Sequence, residues 1–200
     1  MKDLGILKYF WGVEVVRSQE EIFFSQRKYS FDIISETCLL GVKPVGFPME
    51  HNQRLAHSTS APLKDSERYR RNTSCGEISK RVPGSGILLS AESKLQLSGW
   101  CDFDWASCPI TRRSIFGWIV FLGNSPVSWK SKKEETVSRS SAEAEYRSMV
   151  VVTCELKWLK GLLHCFGVFH AGSIELLCDS QSAMYLAQNP IFHEHLHAPT

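Results

Sequence analysis

Three acidic residues, far apart in the sequence, occupy positions typical of an active site. Asp102 lies near the end of an apolar strand pattern, Asp179 directly follows another, and Glu145 lies at the start of a long helical pattern. Because sites form at the carboxyl ends of strands in open α/β sheets, we expect these carboxylates to meet if the two strands are parallel neighbours. Clustered carboxylates repel one another unless divalent cations neutralise them, and such oxygen ligands favour Mg²⁺ or Mn²⁺ over zinc. The chemistry predicted is two-metal phosphodiester hydrolysis, with the ions about 3.5–4 Å apart.

Glu145 belongs to the most strongly patterned helix in the chain. Apolar or small residues follow one another at steps of three and four, as on one face of a helix, and Glu145 interrupts them. The face comprises Ala142, Glu145, Met149, Val152, Leu156, Leu159, Leu163 and Phe166. Glu143 has a separate explanation, because Ser140 and Glu143 fit a capping box at the helix start. A carboxylate on a core-facing stripe is costly unless a cation, a metal ion or several donors meet it. The alternative is a boundary residue turned toward water.

Structural roles compete with catalysis at the other acidic positions. Asp179 precedes Ser180 and could be the N-cap of a following helix, a common role for an aspartate between strand and helix. Asp104 could cap the turn that follows it. Three histidines near the carboxyl terminus alternate in a way that suggests metal ligation: His193, His195 and His197. They lie in a tail without a regular helix or strand pattern, so we do not favour a metal site there.

Basic residues form two candidate surfaces for a phosphate backbone. One comprises Arg112, Arg113, Lys130, Lys132 and Lys133, and Glu134 and Glu135 partly cancel its charge. The other is Arg68-Tyr69-Arg70-Arg71. Lysine and arginine pair with backbone phosphates, but a short charge run is more often a solvated surface.

The composition is that of an ordinary globular protein. Of 200 residues, 43% are hydrophobic and 22% charged, and the formal net charge of +2 gives no overall case for nucleic-acid binding. Seven cysteines at scattered spacings, with no C-x-x-C pair, favour free thiols in a reducing compartment over disulfides or a zinc site. No apolar run approaches the roughly 20 residues that span a bilayer, and no signal-peptide core follows Met1. We expect an intracellular protein without a membrane segment.

The patterns along the chain predict an α/β fold. Residues 1–26 read as a β-hairpin, 27–40 as a helix ended by Gly41, and 46–74 as a connection. Strands follow at 87–89, 95–103, 114–122 and 126–130, with Pro126 at a first position where proline is tolerated. A helix from Ser141 to Phe166, a strand at 174–178 and a helix at 180–188 complete the chain. Three antiparallel strands, a helix, a strand and a helix indicate a mixed sheet with helices on its faces.

Five motifs in this order resemble the ribonuclease H domain of Ty1/copia-type retrotransposon Pol polyproteins. They are GWCDFDWA at 99–106, TRRS at 111–114, VSWKSKK at 127–133, SRSSAEAEY at 138–146 and CDSQSA at 178–183. The amino-terminal motifs MKDLG at 1–5, YFWGVEV at 9–15, SQRKY at 25–29 and KPV at 43–45 resemble the end of the reverse transcriptase region of the same polyproteins. Trp11 stands where leucine is usual. No Tyr-x-Asp-Asp polymerase motif occurs, so polymerase activity is not implied.

The resemblance implies a ribonuclease H-like fold and site. It assigns 1–49 to a reverse transcriptase remnant, 50–85 to a linker and 86–200 to a ribonuclease H-like domain truncated at its carboxyl terminus. It implies that Asp102, Glu145 and Asp179 bind two Mg²⁺ or Mn²⁺ ions and that RNA in RNA/DNA hybrids is the substrate. Other parts of a Pol polyprotein are candidate partners.

Two departures from the family pattern indicate a deleted, truncated element. The family's fourth carboxylate, in a pattern like Lys-His-Ile-Glu-Ile-Asp, has no counterpart in the 193–200 segment, and a helical stretch after the Arg68–Arg71 segment is absent. The sequence therefore leaves three hypotheses. The chain is a ribonuclease H, a remnant of one whose activity is weak or lost, or a catalytically silent nucleic-acid-binding module; the second is favoured.

Overall fold

The computed structural model describes residues 8–36, 40–41, 43, 83–108 and 110–189. The chain forms two compact units, Met1–Glu92 and Ser93–Thr200. The predicted connection at 46–74, the Arg68–Arg71 segment and the three tail histidines lie outside the described residues.

The first unit contains an antiparallel sheet and a helix. Its elements are β1 (Tyr9–Phe10), β2 (Val13–Arg17), β3 (Glu21–Ser25), α1 (Arg27–Glu36) and β4 (Gly86–Ser90), and the sheet order is β1-β2-β3-β4. The predicted hairpin and helix are confirmed. The first apolar run divides into β1 and β2 at Trp11 and Gly12, whose φ angles of 52° and 82° turn the chain sharply.

Strand β4 is present as predicted, and it does not pair with the strand that follows it in the chain. Instead β4 pairs antiparallel with β3, placing Ile87 opposite Phe24 and Leu89 opposite Ile22. Such apolar cross-strand pairs stabilise a sheet. Residues 86–90 therefore belong to the first unit, and the division falls between Glu92 and Ser93.

The second unit has the predicted order of three strands, a helix, a strand and a helix. Its elements are β5 (Leu97–Asp104), β6 (Ile115–Leu122), β7 (Ser125–Lys133), α2 (Ser141–Cys165), β8 (Glu175–Leu177) and α3 (Gln181–Gln188). The sheet order is β7-β6-β5-β8, antiparallel except for the parallel β5–β8 pair. Pro126 lies on the edge strand β7, where its missing N–H is tolerated. The predicted α/β class is confirmed.

Helix α2 packs on one face of this sheet and forms the core with it. The buried strand residues include Leu97, Cys101 and Val120, and those of the helix include Val152 and Leu156. The contact is close because β5 has a glycine, Gly99, where α2 packs on it. A Cβ atom added at Gly99 would lie 3.0 Å from Leu156 Cδ1 and 3.2 Å from Val152 Cγ1.

The start and end of α2 follow from local chemistry. Ser140 is the N-cap, and its Oγ accepts the Glu143 N–H at 3.1 Å, as predicted. Beyond Phe166, Gly167 adopts a φ of 79°, the left-handed conformation that commonly ends helices. The buried face differs from the predicted one near its start, where Ala144 and Ser148 are buried and Ala142 is only partly covered.

Among the described helices, none combines the length and apolar character that crossing a membrane requires.

Candidate active site

The ends of β5 and β8 place two of the predicted acidic residues at one edge of the sheet. The strands are parallel, with Trp100 opposite Leu177. Asp102 and Asp179 each follow two residues later, Asp102 within β5 and Asp179 after the end of β8. This confirms the parallel neighbours on which the sequence prediction depended.

The start of α2 lies at the same edge. Val152 and Leu156 pack beside Gly99, whereas Ser148, one turn earlier in the helix, lies beside Cys101. The helix therefore runs opposite to β5, and Glu145, three residues before Ser148, lies about 4.5 Å further toward the strand end. The indole Nε1 of Trp105, just after β5, donates to the Ser138 carbonyl at 3.3 Å, which holds the approach to α2 at this edge.

The two glutamates in the first turns of α2 have different surroundings. Glu143 Oε2 accepts the Arg139 N–H at 2.9 Å, and its Oε1 lies 2.8 Å from Arg147 Nη2. The capping role predicted for Glu143 is confirmed, with the Arg139 N–H rather than the Ser140 N–H as its partner. In contrast, Glu145 Oε2 is buried and has no hydrogen-bond partner among the described residues. Of these two glutamates, Glu145 is therefore the one with a carboxylate oxygen that receives no hydrogen bond from the described residues.

The Cys101 thiol lies on the face of β5 that packs against α2. Burial raises the pKa of its thiol to about 12; the Cys178 thiol and the Asp179 carboxylate add to the rise, and Ser148 opposes it. Ser148 Oγ is close to the thiol, yet it makes no hydrogen bond of ordinary length in the described part of the chain. The start of α2 therefore borders the Cys101 side of the sheet, and the Asp179 carboxylate is close enough to the Cys101 thiol to raise its pKa.

Asp102 lies on the other face of β5. Alternate residues of this strand are buried toward α2, among them Leu97, Gly99 and Cys101, whereas Asp102 is exposed. Its Oδ1 accepts the Phe103 N–H at 2.8 Å. Because successive strand side chains point to opposite faces, the thiol of Cys101 and the carboxylate of Asp102 diverge.

The carboxylates are near one edge but do not form a closed cluster. No group of three or more His, Cys, Asp or Glu residues in the described ranges is arranged to hold a metal ion. The donor chemistry suits Mg²⁺ or Mn²⁺, because all three predicted ligands are carboxylates. The unpartnered Glu145 oxygen is the feature of the structure that fits a bound cation.

Serine side chains make the contacts that the capping roles considered for Asp179 and Asp104 would require. The N-cap of α3 is Ser180, whose Oγ accepts the Ala183 N–H at 3.2 Å, so Asp179 does not cap this helix. In the turn after Asp104, the Ala106 N–H donates to Ser114 Oγ at 3.0 Å.

The end of β7 and the loop that contains Cys108, Arg112 and Arg113 are in contact through Lys133. Lys133 Nζ lies 2.9 Å from Cys108 Sγ, and the backbone of Cys108 is hydrogen-bonded to Arg112 and Arg113. Lys132 pairs with Glu135 at 2.7 Å, so the predicted partial cancellation by a neighbouring glutamate is confirmed. Lys133 and then Thr111 lower the pKa of Cys108 to about 6.

Sequence reasoning missed Cys101 and Cys178 as features of this site. All five cysteines in the described residues are free thiols, as predicted. The available signal was the dipeptide Cys-Asp, which occurs at 101–102 and again at 178–179. The first copy lies within β5, and the second directly follows β8.

Comparisons with known proteins place the chain among transposon proteins. It is 33% identical to the retrovirus-related Pol polyprotein from transposon RE2 of Arabidopsis thaliana over 98% of this chain, but it spans only 16% of that polyprotein. It is 32% identical to the uncharacterized mitochondrial protein AtMg00810 of Arabidopsis thaliana, covering 79% of this chain and 80% of that protein. The match to the polyprotein from transposon TNT 1-94 of Nicotiana tabacum has 24% identity over 96% of this chain.

The alignment with the RE2 polyprotein extends over 232 residues, longer than the 200 residues of this chain. That polyprotein therefore has residues inside the matched region that lack a counterpart in this chain. No family model matches the chain, and no solved structure matches it. As these relatives and the ordered motifs show, the chain belongs to the retrovirus-related Pol polyproteins of copia-type transposons.

Proposed function

We propose that the second unit is a ribonuclease H-like domain whose nominal activity is the hydrolysis of RNA in RNA/DNA hybrids, and that this activity is weak. Asp102, Glu145 and Asp179 would hold two Mg²⁺ or Mn²⁺ ions. Membership of the Pol family and the order of strands and helices support this proposal. The domain begins at Ser93 rather than residue 86 in this proposal, because β4 pairs within the first unit. The reverse transcriptase origin of 1–49, the linker at 50–85 and an intracellular location stay predictions.

The observation that carries the proposal is the buried Glu145 oxygen without a partner. A carboxylate oxygen removed from water and left unsatisfied destabilises the fold, so its presence calls for a compensating role. Glu143, two residues earlier, shows that the same helix can satisfy a carboxylate fully with an ion pair and a backbone N–H.

The chain's own residues would position the carboxylates before substrate binds. The Ser140 cap and Glu143 fix the first turn of α2, which carries Glu145. The β5–β8 register fixes the separation of the strand ends that carry Asp102 and Asp179. Bound divalent cations would supply activation of water and stabilisation of the leaving oxygen.

The basic residues at the end of β7 would hold the phosphate backbone of the hybrid. Arg112, Arg113, Lys130, Lys132 and Lys133 are all exposed, and the Cys108 loop and the end of β7 bring several of them together. Phosphate contacts of this kind position a nucleic acid without reading its sequence.

A catalytically silent nucleic-acid-binding module is the second candidate. The placement of Asp102 on the face away from α2 favours it, since that placement separates one predicted ligand from the Glu145 side. Such a protein would bind nucleic acid through its basic residues without cleaving it.

Hydrolysis of a labelled RNA/DNA hybrid in Mg²⁺ tests the proposal. Asp102→Asn and Glu145→Gln should lower the rate by more than the roughly 10- to 100-fold lost when a group supporting a metal ligand is removed. Glu143→Gln is the matched control, because it changes a carboxylate in the same helix that already has partners. Equal rates for wild type, Asp102→Asn and Glu145→Gln would contradict a ribonuclease.

Salt dependence of hybrid binding tests the second candidate. Binding through phosphates should weaken as salt rises, with a log–log slope of about −0.9 per phosphate neutralised on B-DNA. Lys130→Ala with Arg112→Ala should reduce that slope, whereas Asp102→Asn should not. Binding that ignores salt would exclude a phosphate-binding surface.

A further inference from the structure

Two cysteines lie side by side, Cys101 within β5 and Cys178 directly after β8. Trp100 is opposite Leu177 in the parallel register, and Cys101 and Cys178 each follow one residue later. Neighbouring strands lie about 4.7–4.9 Å apart. That spacing falls within the roughly 4.4–6.8 Å between Cα atoms that a disulfide spans.

The side chains of the two cysteines share a face of the sheet. Cys101 is 7% exposed and belongs to the core between β5 and α2. Leu176 and Cys178, two residues apart on the neighbouring strand, both pack against that core. The two thiols are close enough to interact, and both are free.

Access differs between the two thiols. Cys178 is partly exposed, whereas Cys101 is buried, so a reagent from solution meets Cys178 first. The strand β8 has only three residues, Glu175–Leu177, and Cys178 directly follows its last hydrogen-bonded position.

We propose that Cys101 and Cys178 form a reversible disulfide when a small-molecule disulfide, such as oxidised glutathione, oxidises them. The Cys178 sulfur attacks the reagent, which forms a mixed disulfide and releases one reduced glutathione. The Cys101 sulfur then attacks the Cys178 sulfur and releases the second. The S–S bond of the reagent breaks, one protein S–S bond forms, and the two thiol protons end on the two glutathione molecules.

This bond would tie β5 to β8 directly before Asp102 and Asp179. The pairing of the thiols goes beyond the proposed hydrolysis and does not rest on it. Any effect of the bond on cleavage does rest on it, because the bond fixes the distance between two strand ends that would carry metal ligands.

Peptide mapping of the full chain tests the inference. The protein is treated with oxidised glutathione, its remaining thiols are alkylated, and it is digested with chymotrypsin without reductant. Cleavage after Trp100 and Phe103, and after Leu177 and Tyr185, separates these two cysteines from the other five. We expect a peptide pair that joins 101–103 to 178–185, lighter by two hydrogen atoms than its separate members and split by dithiothreitol.

Two variants provide matched controls. Cys154→Ser removes an exposed thiol elsewhere on α2 and should leave the linked pair in place, whereas Cys178→Ser should abolish it. The wild-type map decides the question even if Cys178→Ser does not fold. Recovery of glutathione on Cys178 alone, with Cys101 still alkylated after unfolding, would overturn the inference, as would linkage of either cysteine to another partner. Both results are independent of hybrid cleavage.

Discussion

Replacing Glu145 with methionine should stabilise the second unit. Glu145 Oε2 is buried without a partner among the described residues, and an unsatisfied buried polar group costs about 1–3 kcal/mol. Methionine has a similar length and no charged oxygen. Because the Glu145 side chain is only partly buried, the lower end of this range applies, and we expect the free energy of unfolding to rise by about 1 kcal/mol.

Thermal unfolding monitored by circular dichroism measures this change. For a unit of this size, 1 kcal/mol corresponds to a shift of about 4 °C in the melting temperature. Glu143→Gln is the control of opposite sign. It breaks the ion pair with Arg147 but keeps an acceptor for the Arg139 N–H, and it should lower stability by about 0.5 kcal/mol.

Magnesium separates the functional explanation from a purely structural one. A cation that binds only the folded state stabilises it by about 1.4 kcal/mol at ten times its Kd. Under the proposed function, Mg²⁺ should therefore raise the melting temperature of the wild type and leave Glu145→Met unchanged. If Glu145→Met melts below the wild type without Mg²⁺, the buried oxygen has a favourable partner in the protein and the reasoning is refuted.

Two further predictions concern packing and thiol reactivity. Gly99→Ala should destabilise the second unit by about 1–3 kcal/mol, because its Cβ would press into α2. Gly117→Ala is the control and should be nearly neutral, because its Cβ would meet only a backbone oxygen at 3.8 Å. Equal melting temperatures for the two variants would contradict the close contact between β5 and α2. The alkylation rate of Cys108 should rise with pH about a midpoint near 6, because the thiolate is the reactive form. Lys133→Met should move that midpoint up toward 9.0, the ordinary pKa of a cysteine thiol. Lys132→Met is the control and should leave the midpoint in place. An unmoved midpoint in Lys133→Met would show that Lys133 does not lower the pKa of Cys108.

The sequence predicted best those features that depend on near neighbours in the chain. The start of α2 follows from Ser140 and Glu143, and its end from Gly167, all within a turn of the boundary they set. The partner of β4 could not be predicted in this way. Its apolar residues suit a sheet, but the choice of β3 depends on contacts with residues more than sixty positions earlier, for which a local pattern carries no information.

The sequence predicted where the candidate site lies, but not which face of the sheet each carboxylate occupies. Apolar strand patterns that end in Asp102 and Asp179 sufficed to predict one shared edge, and the parallel register confirms it. Which face each carboxylate takes depends on the side against which α2 packs. Gly99 determines that side, because the absence of a Cβ admits Leu156 to the surface of β5. A glycine in a strand pattern indicates close approach but not the direction of approach.

The Cys-Asp dipeptide in β5 helps to determine which side chain is buried and which is exposed. In β5 the thiol of Cys101 enters the core and the carboxylate of Asp102 takes the opposite face. A slip of β5 by one residue would exchange these positions, burying Asp102 beside the core residues of α2 and exposing Cys101. Since an unpaired buried carboxylate is far more costly than a buried thiol, the dipeptide itself opposes the slipped register. The cost of burying the Asp102 carboxylate, together with the low cost of burying the Cys101 thiol, therefore helps to keep Asp102 on the exposed face of β5.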